Sequence, residues 1–194
     1  MGVQLRSGEL AFLYDMDTGR IVGLKSPDGS EMLLMRIPYI GSFYDLTDQS
    51  AEINTATAMT FNTTAISSGV SIVANSRVTV ARKAAYNLAF SAQFSNASTT
   101  DEATVSIWLA KNNAPLAATN SDITIPKKHG GGDGKLVAAW NFFVDANEGD
   151  YFELYWSTTL AGATITHQAA QTSPVRPVTP SIILTVNEVD GSYP

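Results

Sequence analysis

Apolar and polar positions alternate with a period of two along most of the chain. In YNLAFSAQF, Tyr86, Leu88, Phe90, Ala92 and Phe94 fall on one side and Asn87, Ala89, Ser91 and Gln93 on the other. The same phase groups Val105, Ile107 and Leu109 in TVSIWL, and Leu136, Ala138, Trp140, Phe142 and Val144 in LVAAWNFFV. It also groups Phe152, Leu154 and Trp156 in YFELYW, and Ile182, Leu184 and Val186 in SIILTV. Successive side chains of a strand point to opposite faces, so this pattern predicts strands with one face buried. Shorter strands are predicted at residues 58–61, 70–73, 77–80 and 163–167. Turn chemistry separates them at Ser67-Ser68-Gly69, Asn112-Asn113, the glycine-rich stretch 130–134 and Glu148-Gly149-Asp150. No window of a dozen residues carries a helical stripe of period 3.6. Many short strands at close spacing predict an all-β sandwich or barrel. Trp140, Phe142, Phe152 and Trp156 lie on the apolar phase and are predicted core residues.

The first forty residues read differently. Residues 10–14 and 21–24 flank Asp15-Met16-Asp17-Thr18-Gly19-Arg20, a tight-turn sequence, and Ser26-Pro27-Asp28-Gly29 marks a second turn before the apolar run 32–37. This predicts a three-stranded β-meander ending at Pro38. Three strands bury little on their own, so the unit needs something to pack on. Two readings are open: an extra sheet of the same domain, or an arm that docks on a larger assembly. In the second reading Phe12, Tyr14, Met32, Leu34 and Met35 are the docking side chains. Residues 1–40 carry 4 basic and 5 acidic groups, so apolar contact rather than charge would hold the arm.

Composition narrows the function. Only 15% of the 194 residues are charged, against 44% hydrophobic, which excludes a disordered chain. With 12 Lys and Arg against 18 Asp and Glu, the net charge of −6 gives no footprint for nucleic acid. The absence of cysteine removes disulfides, Cys-ligated zinc and thiol catalysis. No apolar run approaches the roughly 18 residues of a membrane helix. The opening MGVQLRSGELAFLYD has neither the long apolar core nor the small-residue cleavage site of a signal peptide, so a soluble, uncleaved chain is expected.

No catalytic constellation is legible, and no enzyme activity, cofactor or metal is expected. His129 and His167 stand far apart in sequence without a carboxylate at ligand spacing. No Gly-x-Ser-x-Gly elbow occurs. His129-Gly-Gly-Gly-Asp133-Gly lacks the closing Gly-Lys-Ser/Thr of a phosphate loop, so a loop between strands is expected there, with Lys127, Lys128 and Lys135 beside it. Asp15-x-Asp17-x-Gly19 opens like a calcium loop, but the twelfth position is Ser26 rather than Glu. Glu148, Asp150 and Glu153 cluster at one turn without a repeated ligand pattern. The proline-bearing segment QAAQTSPVRPVTP at 168–180 is expected to run extended between the last two strands.

From about Gly41 onward the motif order resembles complement globular-head and tumour-necrosis-factor-like jelly rolls, most closely those in virion surface proteins of tailed bacteriophages. The likeness is carried by Phe61-Asn62 with Gly69 and its following strand, by Tyr86 and Phe90 with Ala84 where the family has glycine, and by WLAKNN ending a strand. It continues in the paired strands around Ala146, Gly149 and Asp150, and in the closing PSIILTV. It covers about three quarters of the chain and leaves out residues 1–40. The resemblance implies a two-sheet jelly roll of about ten strands over 41–194 that assembles as a homotrimer and is not an enzyme. It implies that the strands at 86–94, 151–156 and 181–186 form an inner sheet facing the three-fold axis. Asn87, Ala89, Ser91 and Gln93, together with Tyr151, Glu153 and Tyr155, would then be trimer-interface residues.

The expected function is structural: a bacteriophage capsid decoration protein at the virion surface, made in the host cytoplasm, whose partners are its own copies and the major capsid protein or another virion protein. The alternative is a tail-fibre or baseplate module that recognises a host-surface glycan. Such a module needs a trimerising shaft, and none is legible. A capsule depolymerase is a weaker third reading, because the acidic residues sit mostly at turns.

Overall fold

The computed structural model describes residues 11–14, 21–26, 31–33 and 37–189. The chain divides into two compact units, Met1–Pro38 and Tyr39–Pro194, a boundary two residues before the one expected at 40/41.

The first unit holds an antiparallel meander of β1 (Ala11–Tyr14), β2 (Ile21–Lys25) and β3 (Glu31–Leu33). Phe12 pairs with Leu24 and Leu24 with Met32, and a bulge falls between Leu13 and Tyr14. The turn expected at 15–20 and most of that at 26–29 lie outside the described residues, as do Leu34 and Met35.

The second unit is a sandwich of two antiparallel sheets, and among the described residues the chain has no helix. One sheet runs β5 (Gln49–Ser50), β16 (Ala163–Ile165), β10 (Ala84–Asn96), β19 (Ile182–Val189), β4 (Ile40–Asp45) and β7 (Thr63–Ser68), with β14 (Gly134–Ala146) on the other side of β10. The other runs β12 (Ala114–Pro115), β11 (Ala103–Lys111), β15 (Tyr151–Thr158), β9 (Arg77–Val80) and β8 (Val70–Val73). Here β13 (Ser121–Ile125) pairs with β11, and β6 (Thr57–Ala58) with β15. We call these the β10 sheet and the β11 sheet. The main pairs are nested, β11 with β13 inside β10 with β14, inside β9 with β15, inside β4 with β19, as when one long hairpin is rolled into two layers.

The core lies between the sheets and follows the alternation read from the sequence. Tyr86, Leu88, Phe90 and Phe94 of β10 meet Ile107, Leu109, Phe152, Leu154 and Trp156 from the facing sheet, all nearly inaccessible. Each such side chain contributes roughly 1.5–3 kcal/mol by leaving water. Two predicted core residues sit shallower than expected. Trp140 and Phe142 are only half-buried. Their strand, β14, is an edge that pairs only with β10 among the described strands, so the facing sheet does not fully cover its inner side. They pack instead on Phe90, Trp140 edge-on at 4.7 Å and Phe142 stacked at 6.2 Å between centroids.

Gly134 and Gly69 mark close approaches. A Cβ at Gly134 would stand 1.7 Å from the Pro126 carbonyl oxygen, so β14 can begin there only without a side chain. Gly69 has a φ of +68°, and its missing Cβ makes room for the Tyr39 ring. That ring also lies under the Arg82 guanidinium, 3.7 Å from its centroid. The Tyr39 backbone N–H donates to Glu188 Oε2 at 2.7 Å, and Glu188 N–H donates to the Tyr39 carbonyl at 2.8 Å. Arg82 binds the same Glu188 carboxylate. The second unit therefore starts at a clamped residue. The segment expected to run extended at 168–180 instead folds back as a small ladder, with a Gln168–Thr179 bridge, β17 (Gln171–Thr172), a cis Ser173–Pro174 bond and β18 (Val175–Arg176). Each proline falls where no ladder donor is required.

Candidate functional site

The outward face of the β10 sheet is a broad surface built from four strands. Register lines up Asn141, Ala89, Thr185 and Ser42 across β14, β10, β19 and β4. The rows on either side are Ala139, Ser91, Ile183, Tyr44 and Phe143, Asn87, Asn187, Ile40. Over these four strands the outward positions are uncharged except Lys135 and Asp145 near the two ends of β14. Phe143 is 69% exposed and Val137 57%, and Ile183 also stands in the open. Protein interfaces are set apart by depletion of charge and enrichment in aromatics, and this face has both.

The outward face of the β11 sheet is different. It carries Asp122, Arg77 and Glu153 among threonines, serines and aromatics. Glu153 is almost fully buried and accepts a hydrogen bond from Ser76 Oγ at 2.6 Å, with Arg77 Nε 3.8 Å away. Arg77 covers the Tyr151 ring, and Tyr155 stacks on Trp108. Burial first, and then the Glu153 carboxylate, raise the pKa of the Tyr155 hydroxyl, so it remains a protonated donor at neutral pH.

The seven residues expected to share a trimer axis therefore do not share a face. Asn87, Ala89, Ser91 and Gln93 lie together on the β10 sheet, beside β19. Tyr151, Glu153 and Tyr155 lie on the opposite sheet, so the strands expected at 86–94, 151–156 and 181–186 do not form one sheet. Alternation fixes which side of a strand a residue occupies but not which sheet the strand joins. The sequence reading also missed Val137 and Phe143, the two large apolar residues on the off phase of LVAAWNFFV. Of the expected docking residues, Phe12 is 55% exposed on β1, while Tyr14 and Met32 are placed by register on β1 and β3.

The remaining candidates are each engaged in local contacts. His167 Nδ1 is 2.7 Å from Asp48 Oδ1, and among the described residues no three His, Asp or Glu converge on a common point. The glycine stretch is a tight hairpin closed by reciprocal His129–Gly132 backbone bonds, with Lys128 on Asp133 at 3.1 Å. Asp150 belongs to a turn lock. Burial pushes its carboxyl up, but hydrogen bonds from Lys111 Nζ, Asn112 Nδ2 and the Asn147 N–H, with the Lys111 charge, outweigh that and hold it at about 2. A folded-state value below the ordinary 3.8 stabilises the fold above that value, and the stabilisation is lost as pH falls toward 2. Denaturant unfolding is expected to show a loss of about 2 kcal/mol over this window, and Asp150→Asn is expected to flatten it. An unchanged slope in the variant would place the acid sensitivity elsewhere.

No protein-family model matches this chain, and no curated protein matches it closely enough to count as a relative.

Proposed function

We propose that the chain is a structural virion protein that decorates a bacteriophage capsid as a homotrimer, with the second unit as exposed head and residues 1–38 as the arm that grips the major capsid protein or another virion protein. The observation that carries this reading is the outward face of the β10 sheet, charged only near the two ends of β14, with Phe143 and Val137 in the open. A face of that kind on a chain of net charge −6 calls for a partner, and closed symmetry lets one patch serve every copy. The nested strand pairing supports reading the second unit as a jelly roll, and the motif order from Gly41 onward supports the phage virion class. The division at Pro38 supports a separate docking arm.

Light scattering on the purified full chain is expected to give the mass of three copies. Ala89→Arg places a charge in the middle row of the β10 face and is expected to yield monomers with an intact fold. Thr124→Arg, on the outward face of the β11 sheet, is expected to leave the trimer unchanged. A monomeric parent protein at micromolar concentration sinks the assembly reading. The virion reading is tested separately, by whether density for this chain appears on intact particles in electron micrographs.

A further inference from the structure

On the outward face of the β11 sheet, Trp108 of β11 and Tyr155 of β15 are directly opposite, their rings within 15° of parallel and 5.8 Å apart. They wall a basin of about 200 Å³ completed by Ala56, Ala110, Asn113 and Pro115. Its lining holds no charged side chain. The nearby Glu153, opposite Ala110 in register, has its carboxylate engaged by Ser76, by Arg77 and by the Tyr155 hydroxyl, which donates to Oε2 at 3.5 Å and keeps its lone pairs for a ligand.

We propose that this basin binds one uncharged pyranose ring, the end residue of a glycan. A pyranose presents a face of C–H groups and a rim of hydroxyls. The aromatic, alanine and proline walls suit the first, and the exposed Asn113 amide and the Tyr155 hydroxyl suit the second. The volume lies below the roughly 300–1,000 Å³ of sites for drug-sized ligands, which fits a single ring. A nucleobase would also stack on an aromatic wall, but nucleic-acid grooves pair stacking with cations, and this lining has none. A purely apolar side chain would cover the Asn113 amide without offering it a partner. The site does not depend on the trimer, because it lies on the sheet opposite the proposed assembly face.

The test titrates the full chain with the methyl glycosides of glucose, galactose, mannose and N-acetylglucosamine, read by tryptophan fluorescence and by saturation-transfer NMR. Saturable binding of at least one, with a dissociation constant in the millimolar range, is the expected result. Trp108→Ala is expected to abolish it with the melting transition retained. Asn113 has a φ of +68°, which glycine adopts freely, so Asn113→Gly removes the amide without straining the turn. It is expected to weaken binding roughly threefold to tenfold. If Trp108→Ala does not fold, Asn113→Gly decides. No saturable binding by any of the four glycosides, or binding unchanged in the folded variants, overturns the proposal.

Discussion

Replacing Trp156 with alanine is expected to remove about 3–5 kcal/mol of stability, at the upper end of what a single core truncation costs. Trp156 is the largest of the fully buried side chains, and from β15 it meets Phe94 of the facing sheet edge-to-face at 5.7 Å. It therefore joins the two layers, and its removal leaves a cavity that strands locked in register cannot close. A domain of this size is stable by only about 5–15 kcal/mol, so the variant should unfold at much lower denaturant. Trp156→Phe separates shape from polarity. The indole Nε1 is buried without a hydrogen-bond acceptor, so the phenyl ring gives up volume but no polar partner and should cost well under half as much. A Trp156→Ala protein within about 1 kcal/mol of the parent would show that this contact is not part of the core.

Deleting residues 1–38 is expected to leave a folded, self-associating head that no longer joins the particle. The second unit begins at Tyr39, whose backbone and ring are held within that unit by Glu188, Arg82 and the space over Gly69. Each of these partners survives the deletion. Attachment of the full chain is expected to change little with salt, because the arm carries 4 basic and 5 acidic groups over residues 1–40 and offers exposed Phe12 instead. Co-sedimentation with particles measures both. If the truncated head still binds particles at normal occupancy, the anchor lies in the head and the arm is only an additional sheet.

Most of the strands were legible because period-two alternation is a local property. Val70–Val73 and Arg77–Val80 fall where the pattern puts them, and the inward set of β10 is the apolar set of YNLAFSAQF. What was not legible depends on pairing between distant segments. YFELYW reads the same in either layer, and only the ladders of β15 with β11 and β9 assign it to the β11 sheet. The depth of Trp140 and Phe142 depends on β14 being an edge, which alternation does not encode. Trp108 sits on the less apolar phase of TVSIWL, and only register brings it against Tyr155. At the glycine stretch the pattern predicts only a loop between strands, whereas Gly134 is required by the nearness of the Pro126 carbonyl.

The clamp at Tyr39 also settles the polarity of the head. The Tyr39 N–H donates to the Glu188 carboxylate and the Glu188 N–H to the Tyr39 carbonyl, so the start of β4 and the end of β19 lie at one pole of the second unit. The β17–β18 ladder lies at the other pole. It connects Ile165, which pairs with Phe94, to Ile182, which pairs with Ala92, whereas Val189 pairs with Ala85 at the far end of the same strand. Seven residues of strand at about 3.3 Å each put more than 20 Å between the two ends. A guest peptide grafted directly after Val189 would emerge beside Tyr39, while one inserted near Val175, which is 86% exposed, would be displayed at the opposite pole of the second unit. The nearness of Tyr39 to Glu188 allows β19 to be linked to β4 there and the chain reopened at the ladder, as a circular permutant with its core unchanged.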